Sequence, residues 1–364
     1  MKRPLAALVA AGLLASVAVT STSAADPSFT VVADGLHSPR GLSFAPNGRL
    51  YVAEAGLGAG NPTDGIIPGF GLTGSITEIS GAGTAHPSTR LVVGGLPSAG
   101  DQEGTVGPDG ISVHGNGNID VQISLSQAQT HIPSNLLGRL VKVTPSGRMR
   151  VLANVGDANY AWSQQHQDLA PNDFLPGDSN PYGVLAVAGG AYVVDAGTNT
   201  LNWVASNGRI SVLAYFPNNA IADATPTCVT RGPDGALYIG TLALRDSFAN
   251  GPSAIVYRVD PKAADPSSLS TVLSLATPWA TGLMPITGCA ATANTFYASQ
   301  FIAGFGPQGP FGDVVAIPFA HPEQHTPLTS GALSFPGGVA VGPDGHVYVS
   351  NMSTSADGQV VRLP

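Results

Sequence analysis

One motif recurs six times along this chain, and few folds accommodate it. Each copy runs from a Pro through a short apolar strand and a Gly/Asn/Asp turn into a second strand with Tyr near its start. The copies open at Pro39, Pro108, Pro181, Pro226, Pro285 and Pro336, and the second strands carry Tyr51, Asp120, Tyr192, Tyr238, Tyr297 and Tyr348. The spacing between these two marks is 12 residues in five copies and 11 in the third, with Asp120 standing where the others have Tyr. The intervening turns are Asn47-Gly48, Gly117-Asn118, Gly189-Gly190, Asp234-Gly235, Ala293-Asn294 and Asp344-Gly345, chemistry suited to tight hairpins that need positive φ. A third β-type run follows each pair, at 74–79, 138–143, 201–204, 254–259, 313–317 and 359–363. A fourth follows in most, at 90–93, 149–152, 210–213 and 271–274. Such a unit cannot bury its apolar faces alone, so the pattern predicts an all-β fold: a six-bladed propeller of four-stranded antiparallel sheets.

Successive motifs lie 69, 73, 45, 59 and 51 residues apart, longer than the ~40–50 of a typical blade, and the excess sits in loops. The sixth copy ends after three strands at Pro364, while an unassigned strand opens the chain at 28–33. A ring must join its ends, so this first strand is expected to complete the last sheet and remove its open edge.

Ahead of that strand, Lys2 and Arg3 precede an apolar run from Leu5 to Val19 and the small residues Thr20 to Ala25. These are the three parts of a secretory signal, and the apolar run is too short to span a ~30 Å hydrocarbon core. Residues 1–25 therefore read as a leader and 26–364 as one exported propeller domain, without membrane insertion and monomeric. Lys+Arg 15 against Asp+Glu 23 gives −8, or about −10 without Lys2 and Arg3, and three lysines in all leave no basic stripe for nucleic acid. Cys228 lies two residues after its Pro and Cys289 four after its own, which puts both on the same face of equivalent inner strands. Adjacent blades meet front to back, so two buried free thiols are expected, unless the weak fifth repeat is shifted in register.

In a propeller the loops leading to the inner strand and those leaving the second strand emerge together around the channel. The residues at these places converge Glu54, Asn180, Asp195, Gln300 and Asn351 on one rim. Long insertions fall on that side, at 55–72, 124–135, 156–179, 242–252 and 301–310, where function is usually carried. They bring Phe70, Tyr160, Trp162, Phe174, Phe248, Phe301, Phe305 and Phe311, a lining suited to a neutral or aromatic ligand. Glu54, Asn180, Asp195 and Asn351 offer the hard oxygens that Ca²⁺ takes, and six-bladed lactonases of the regucalcin/gluconolactonase type use a similar Glu/Asn/Asp set. Asn180 before Pro181 equally suits an ordinary turn, and Asp195 a hairpin cap. His131 and His166 lie in rim insertions and are the candidate acid-base groups, solvated loop histidines being the alternative. Gly-x-Ser-x-Gly, His-Glu-x-x-His and phosphate-loop signatures are missing.

The stretch Asp178-Ser-Asn-Pro-Tyr-Gly183, with Tyr192-Val-Val-Asp195-Ala-Gly-Thr-Asn199 and Asn207-Gly-Arg-Ile-Ser-Val-Leu-Ala-Tyr-Phe-Pro217 after it, resembles the ScyD/ScyE family. Those are exported, NHL-like propellers named for the scytonemin-biosynthesis cluster. Pro226 to Gly240 and Phe335 to Asn351 fit the resemblance as well, although their Pro-Asp-Gly strand pairs are generic to NHL-like repeats. The chain departs from the pattern ahead of Asp178, reading Gln164-Gln-His-Gln-Asp168 and Pro171-Asn-Asp173 in place of a Glu followed by Asn-Pro-Asp. The resemblance implies a fold and an export route rather than a reaction. The expectation is a secreted propeller that binds a small molecule or an extracellular protein on its loop-rich face. A metal-dependent, lactonase-like hydrolase or lyase and a protein-binding scaffold are the alternatives.

Overall fold

The computed structural model describes residues 29–101, 104–169, 177–217 and 223–364. The expected leader, Ser28, Phe174 and the 171–173 segment lie outside the described residues. No helix among the described residues is long and apolar enough to cross a membrane.

Six sheets follow one another along the chain, each an antiparallel meander. Blade one comprises Pro39–Phe44, Leu50–Glu54, Gly69–Ser80 and Ser88–Asp101, with Gly104–Val106 as a fifth strand. Blade two is Pro108–Val113, Ile119–Ile123, Arg139–Val143 and Met149–Asn154, and blade three Pro181–Val187, Gly190–Asp195, Thr200–Ala205 and Ile210–Tyr215. Pro226–Arg231, Leu237–Thr241, Ala254–Val259 and Thr277–Leu283 make blade four. Ile286–Ala291, Thr295–Gly306, Gly309–Pro318 and Thr326–Pro327 make blade five. Blade six takes Val339–Val341, Val347–Asn351 and Gly358–Arg362 from the carboxyl end, and Thr30–Leu36 pairs antiparallel with Gly358–Arg362 as its outer strand. The ring is thus closed as the repeat predicts. Gly48, Gly117, Gly189, Gly235 and Gly345 all have φ between 81° and 88°, the left-handed value for which the hairpins select glycine.

Each junction between blades has its own apolar core. Leu50, Val52, Tyr348 and Val360 fill the junction of blades six and one, Tyr51, Ile76, Ile111 and Val121 that of one and two, and Tyr238, Val256, Phe296 and Ile317 that of four and five. The remaining three junctions are built alike. The recurring Tyr is therefore a packing element, its ring in the junction and its hydroxyl at the hairpin end of the blade. Tyr51 donates to Glu78 at 2.9 Å, Tyr238 to Asp234 at 3.3 Å and Tyr348 to Asp344 at 2.9 Å.

Around the channel the blades approach backbone to backbone. Gly41, Gly110, Gly183, Gly288 and Gly338 occupy one equivalent place around the channel, two residues after Pro39, Pro108, Pro181, Ile286 and Pro336, and in blade six this place lies just ahead of the strand Val339–Val341. A Cβ at Gly41 would meet the Asp109 carbonyl oxygen at 2.8 Å, and one at Gly338 the Arg40 carbonyl oxygen at 2.5 Å. Blade four alone has a side chain there, Cys228, and it forms a disulfide with Cys289 of blade five, with Cα atoms 5.7 Å apart.

This corrects the expectation of two free thiols. Pro226 pairs with Thr241 at the end of its second strand, and in blade five it is Ile286, not Pro285, that pairs with Gln300. The blade-five hairpin is one residue shorter than that of blade four, so Cys289 stands third after the opening residue while Cys228 stands second. A one-residue offset turns a side chain to the opposite face of a strand. Cys228 therefore faces forward and Cys289 backward across the same junction.

A second correction concerns 271–274, read as the outer strand of blade four. Ser268 accepts the Thr271 N–H at 3.3 Å and starts a short helix, Leu269–Ser274, while the outer strand is Thr277–Leu283. The capping serine decides between helix and strand for so short an apolar run.

Candidate functional site

Of the residues singled out from the sequence, Glu54, Asp195 and Asn351 end their second strands, Asn180 stands just ahead of a first strand and Gln300 pairs with Ile286 at the start of one, and the oxygens of the first four are in use. Asp195 is fully buried at the end of its strand. Its Oδ1 accepts the N–H groups of Asn180 (2.7 Å), Gly197 (3.0 Å) and Thr198 (3.0 Å), and its Oδ2 accepts Asn159 Nδ2 (2.8 Å) and Ser179 Oγ (2.7 Å). Glu54 accepts the His37 N–H at 2.7 Å through Oε2, and the Ser75 and Thr77 hydroxyls through Oε1. Asn351 Oδ1 accepts the Ser334 N–H at 2.8 Å, and Asn180 Oδ1 the Leu125 N–H at 3.2 Å. In blades one, three and six the group that ends the second strand thus latches the loop leading into the first. Ca²⁺ requires six to eight oxygen lone pairs aimed at a point. Carboxylates and amides committed to neighbouring N–H and O–H donors do not fit that demand, and the described residues hold no cluster of three or more His, Cys, Asp or Glu able to hold a metal ion. Gln300 is buried in its strand opposite Asp313.

The insertions form a canopy over this end. Helix Val155–Gln165 lies above blade three, tied down by the Asn159 bond to Asp195. Trp162 on that helix stacks on His166 at 4.2 Å, and His166 Nδ1 lies 2.8 Å from the Trp162 carbonyl oxygen. Tyr160 is half-buried on the same helix, while His131 is exposed at the end of the short helix Gln127–Thr130. The two histidines belong to different insertions, and neither is hydrogen-bonded to the other. Phe70 packs inward against Ala99, Leu125 and Leu137. Phe305, on the extended hairpin of blade five, is 68% exposed and leans on Phe248 of helix Leu244–Asn250 at 6.3 Å.

Beneath the canopy is a constellation that sequence reasoning overlooked. The residues that follow each opening residue, one per blade, are Arg40, Asp109, Tyr182, Thr227, Thr287 and Gly337, and their strands surround the channel. Arg40 and Asp109 are 9% and 0% exposed in their side chains, and Arg40 Nε stands 3.4 Å from Asp109 Oδ1. Arg40 Nη2 donates to the Thr105 carbonyl oxygen, Asp109 Oδ2 accepts from Ser124 Oγ, and the Tyr182 hydroxyl is within hydrogen-bonding reach of Arg40. Neither Arg40 Nε nor Asp109 Oδ1 has a properly aligned hydrogen bond although both are buried. Burial pushes the Asp109 carboxyl above the ordinary carboxylate range, against the pull of Arg40 and Ser124. Burial likewise pushes the Tyr182 phenol up to about 12, with the Arg40 charge opposing and the Asp109 charge adding. Below this group the channel holds a cavity of about 60 Å³, lined by Asp109, Tyr182, Thr227, Thr287 and the disulfide, room for a few water molecules. The signal was in the sequence: the residue after the opening Pro faces the axis in every blade but the shifted fifth, and three of these residues are titratable.

The sequence matches no family model and no curated protein. Solved structures share its architecture. A protein described as a glucose dehydrogenase-type oxidoreductase from Thermus thermophilus superposes with a TM-score of 0.55 at 14% identity, over 92% of this chain and 99% of that one. The pyrroloquinoline quinone domain of a pyranose dehydrogenase from Coprinopsis cinerea gives 0.52 at 14% identity, covering 92% and 95%. A protein described as a gluconolactonase gives 0.51 at 13%, covering 93% of each chain. At these identities the likeness defines the class of protein, a six-bladed β-propeller, and the fold alone is shared.

Proposed function

We propose that this protein is an exported propeller, similar to the ScyD/ScyE family, that binds a small polar molecule over the mouth of its central channel. Arg40, Asp109 and Tyr182 are its recognising groups. One observation carries the reading: an ion pair contributed by two different blades is buried on the axis, beneath the insertions. Desolvating two charges costs several kcal/mol per ion, and an apolar pair in their place is often as stable or more so. A perturbed, incompletely hydrogen-bonded pair at the centre of a rigid ring is the arrangement of a binding site. The channel cavity is too small for a metabolite, so the ligand sits above it, against the canopy. The disulfide between blades four and five agrees with an oxidising, extracytoplasmic setting.

The descriptions of the similar structures put sugars and sugar lactones first among ligands to try. The test is a thermal-shift and calorimetric screen of such compounds, on the wild type and on Arg40→Met/Asp109→Leu, which keeps the axis filled and neutral. A ligand that stabilises the wild type and loses at least tenfold in affinity in the double variant supports the reading. Binding that ignores the double variant overturns it. Adding Ca²⁺ in a parallel series tests the hydrolase alternative, which requires lactone turnover to depend on the ion.

A further inference from the structure

At the hairpin end, opposite the canopy, blades one, four and six neutralise their charges in the same way. The Tyr hydroxyl and an Arg share one carboxylate: Glu78 takes Tyr51, Arg49 and Arg90, Asp234 takes Tyr238 and Arg258, and Asp344 takes Tyr348 and Arg362. Register puts these side chains in rows across the sheet. In blade one the row is Ser43, Tyr51, Glu78 and Arg90, and in blade four it is Thr230, Tyr238, Arg258 and Thr277. Opposite charges are neighbours, or a neutral residue follows the cation.

Blade two breaks the pattern. Its row is Ser112, Asp120, Lys142 and Arg150, so two cations stand directly across from one another on the face turned to blade three. Like charges in that relation are destabilising. Asp120 occupies the Tyr place, and both its oxygens are taken, Oδ1 by Lys142 Nζ at 2.6 Å and Oδ2 by His114 Nε2 at 2.9 Å. Lys142 Nζ also lies 2.9 Å from His114 Nε2. Arg148, in the following turn, adds a third cation, and no ion pair among the described residues includes Arg148 or Arg150. A cleft of about 200 Å³ opens between them, lined by Asn118, Lys142, Thr144, Arg148 and Arg150. With His114 neutral, three positive charges face one negative, in a chain whose net charge is −8.

We propose that this cleft is a binding site for a tetrahedral oxyanion, phosphate or sulfate, free or as the ester group of a larger molecule. Two guanidinium forks line it together with the Lys142 ammonium, which Asp120 also holds, and with Asn118 and Thr144 as neutral groups, the residue types that such an anion takes. The cleft is smaller than the ~300 Å³ from which drug-sized ligands are enclosed, and far larger than one water needs. Bound anion would offset the repulsion between Lys142 and Arg150, which gives this departure from the repeat a physical reason. The site is independent of the channel mouth, at the other end of the blades.

The test is isothermal titration calorimetry with inorganic phosphate and with inorganic sulfate, in chloride buffer of matched ionic strength. Glycerol phosphate and glucose 6-sulfate serve as the ester arms. Saturable one-to-one binding is expected, weakened at least tenfold in Arg148→Gln/Arg150→Gln and also weakened in Lys142→Gln. Both arginines are exposed, so the double variant should keep the wild-type circular dichroism and melting temperature in the absence of anion. An ester that binds more tightly than the free ion shows that the group belongs to a larger ligand. Equal affinity shows that the free ion suffices. Lack of saturable binding by all four compounds, or binding that the folded double variant retains in full, overturns the proposal.

Discussion

The two ends of the blades handle charge in opposite ways. At the hairpin end an acid and its arginine belong to the same blade, and in blades four and six both remain partly exposed: Arg362 and Asp344 are 26% and 27% exposed and 2.9 Å apart, while in blade one Glu78 is buried and only its arginines reach solvent. At the channel mouth Arg40 and Asp109 come from different blades, are almost wholly buried, and stand 3.4 Å apart without good alignment. Exposed pairs are worth about 0–1 kcal/mol, whereas removing one partner of a buried pair costs about 3–5 kcal/mol. The contrast teaches where charge is placed at the cost of desolvation and where it stays in reach of water. The hairpin clamps trim the edges of blades already held by their junction cores, whereas the axial pair desolvates two charges where an apolar pair would generally be as stable.

The most severe test of this contrast is Arg40→Met, which strands the Asp109 charge and should cost about 3–5 kcal/mol in urea denaturation. Arg40→Met/Asp109→Leu should recover most of that loss. If Arg40→Met costs no more than Arg362→Met, the two ends are energetically alike and the contrast collapses. Next comes the covalent tie below the axial pair. Replacing Cys228 and Cys289 together by Ser should cost about 2–4 kcal/mol, and reductant should lower the wild-type melting temperature but leave the double variant unmoved. Smaller still, Tyr348→Phe removes one hydrogen bond to Asp344 and should cost about 1 kcal/mol, measured on the same denaturation scale.

The least of the effects is in pH. Burial pulls the Asp344 carboxyl up, but hydrogen bonds from Tyr348, Arg362 and the His346 N–H outweigh it, and the group ends below the ordinary carboxylate range. Asp234 and Glu78 end low for the same kind of reason, each gathering its arginine and tyrosine. A depressed carboxyl contributes stability that is complete above its unfolded pKa, near 4, and is lost as the pH falls through the lower folded value. Asp109 has the opposite sign: it is raised by burial, so its contribution declines as the pH rises from the ordinary carboxylate range through its folded value. Stability measured from pH 2 to 7 should therefore show a shallower acid limb in Asp344→Asn than in the wild type. An unchanged limb would show that the hairpin clamps do not couple to protons.

Much of this was legible in the chain before any coordinates. The repeat, the glycine turns and the borrowed first strand were readable because each is a local signal, a period of two or a positive φ, repeated until chance was excluded. Rim placement was also readable, since it follows from counting along equivalent strands. The role of the rim was less so: the cap that Asp195 makes to the Gly197 and Thr198 N–H groups is local and was readable as an alternative, but the His37 N–H on Glu54 and the Asn159, Ser179 and Asn180 donors on Asp195 come from loops whose course the sequence does not reveal. The helix Leu269–Ser274 was misread because a four-residue run with two apolar positions, Val272 and Leu273, does not choose a period, and the cap at Ser268 chose it for them.

By itself, then, the sequence determined the number of blades, their order and the closure of the ring, because those depend on patterns contained within one hairpin. The tertiary structure alone decided what faces what across a junction: Cys228 with Cys289, Arg40 with Asp109, and Lys142 opposite Arg150 with no acid between them. The reason is that strand register inverts with a single residue, and a one-residue difference in a turn is too small to read from composition yet large enough to reverse a side chain.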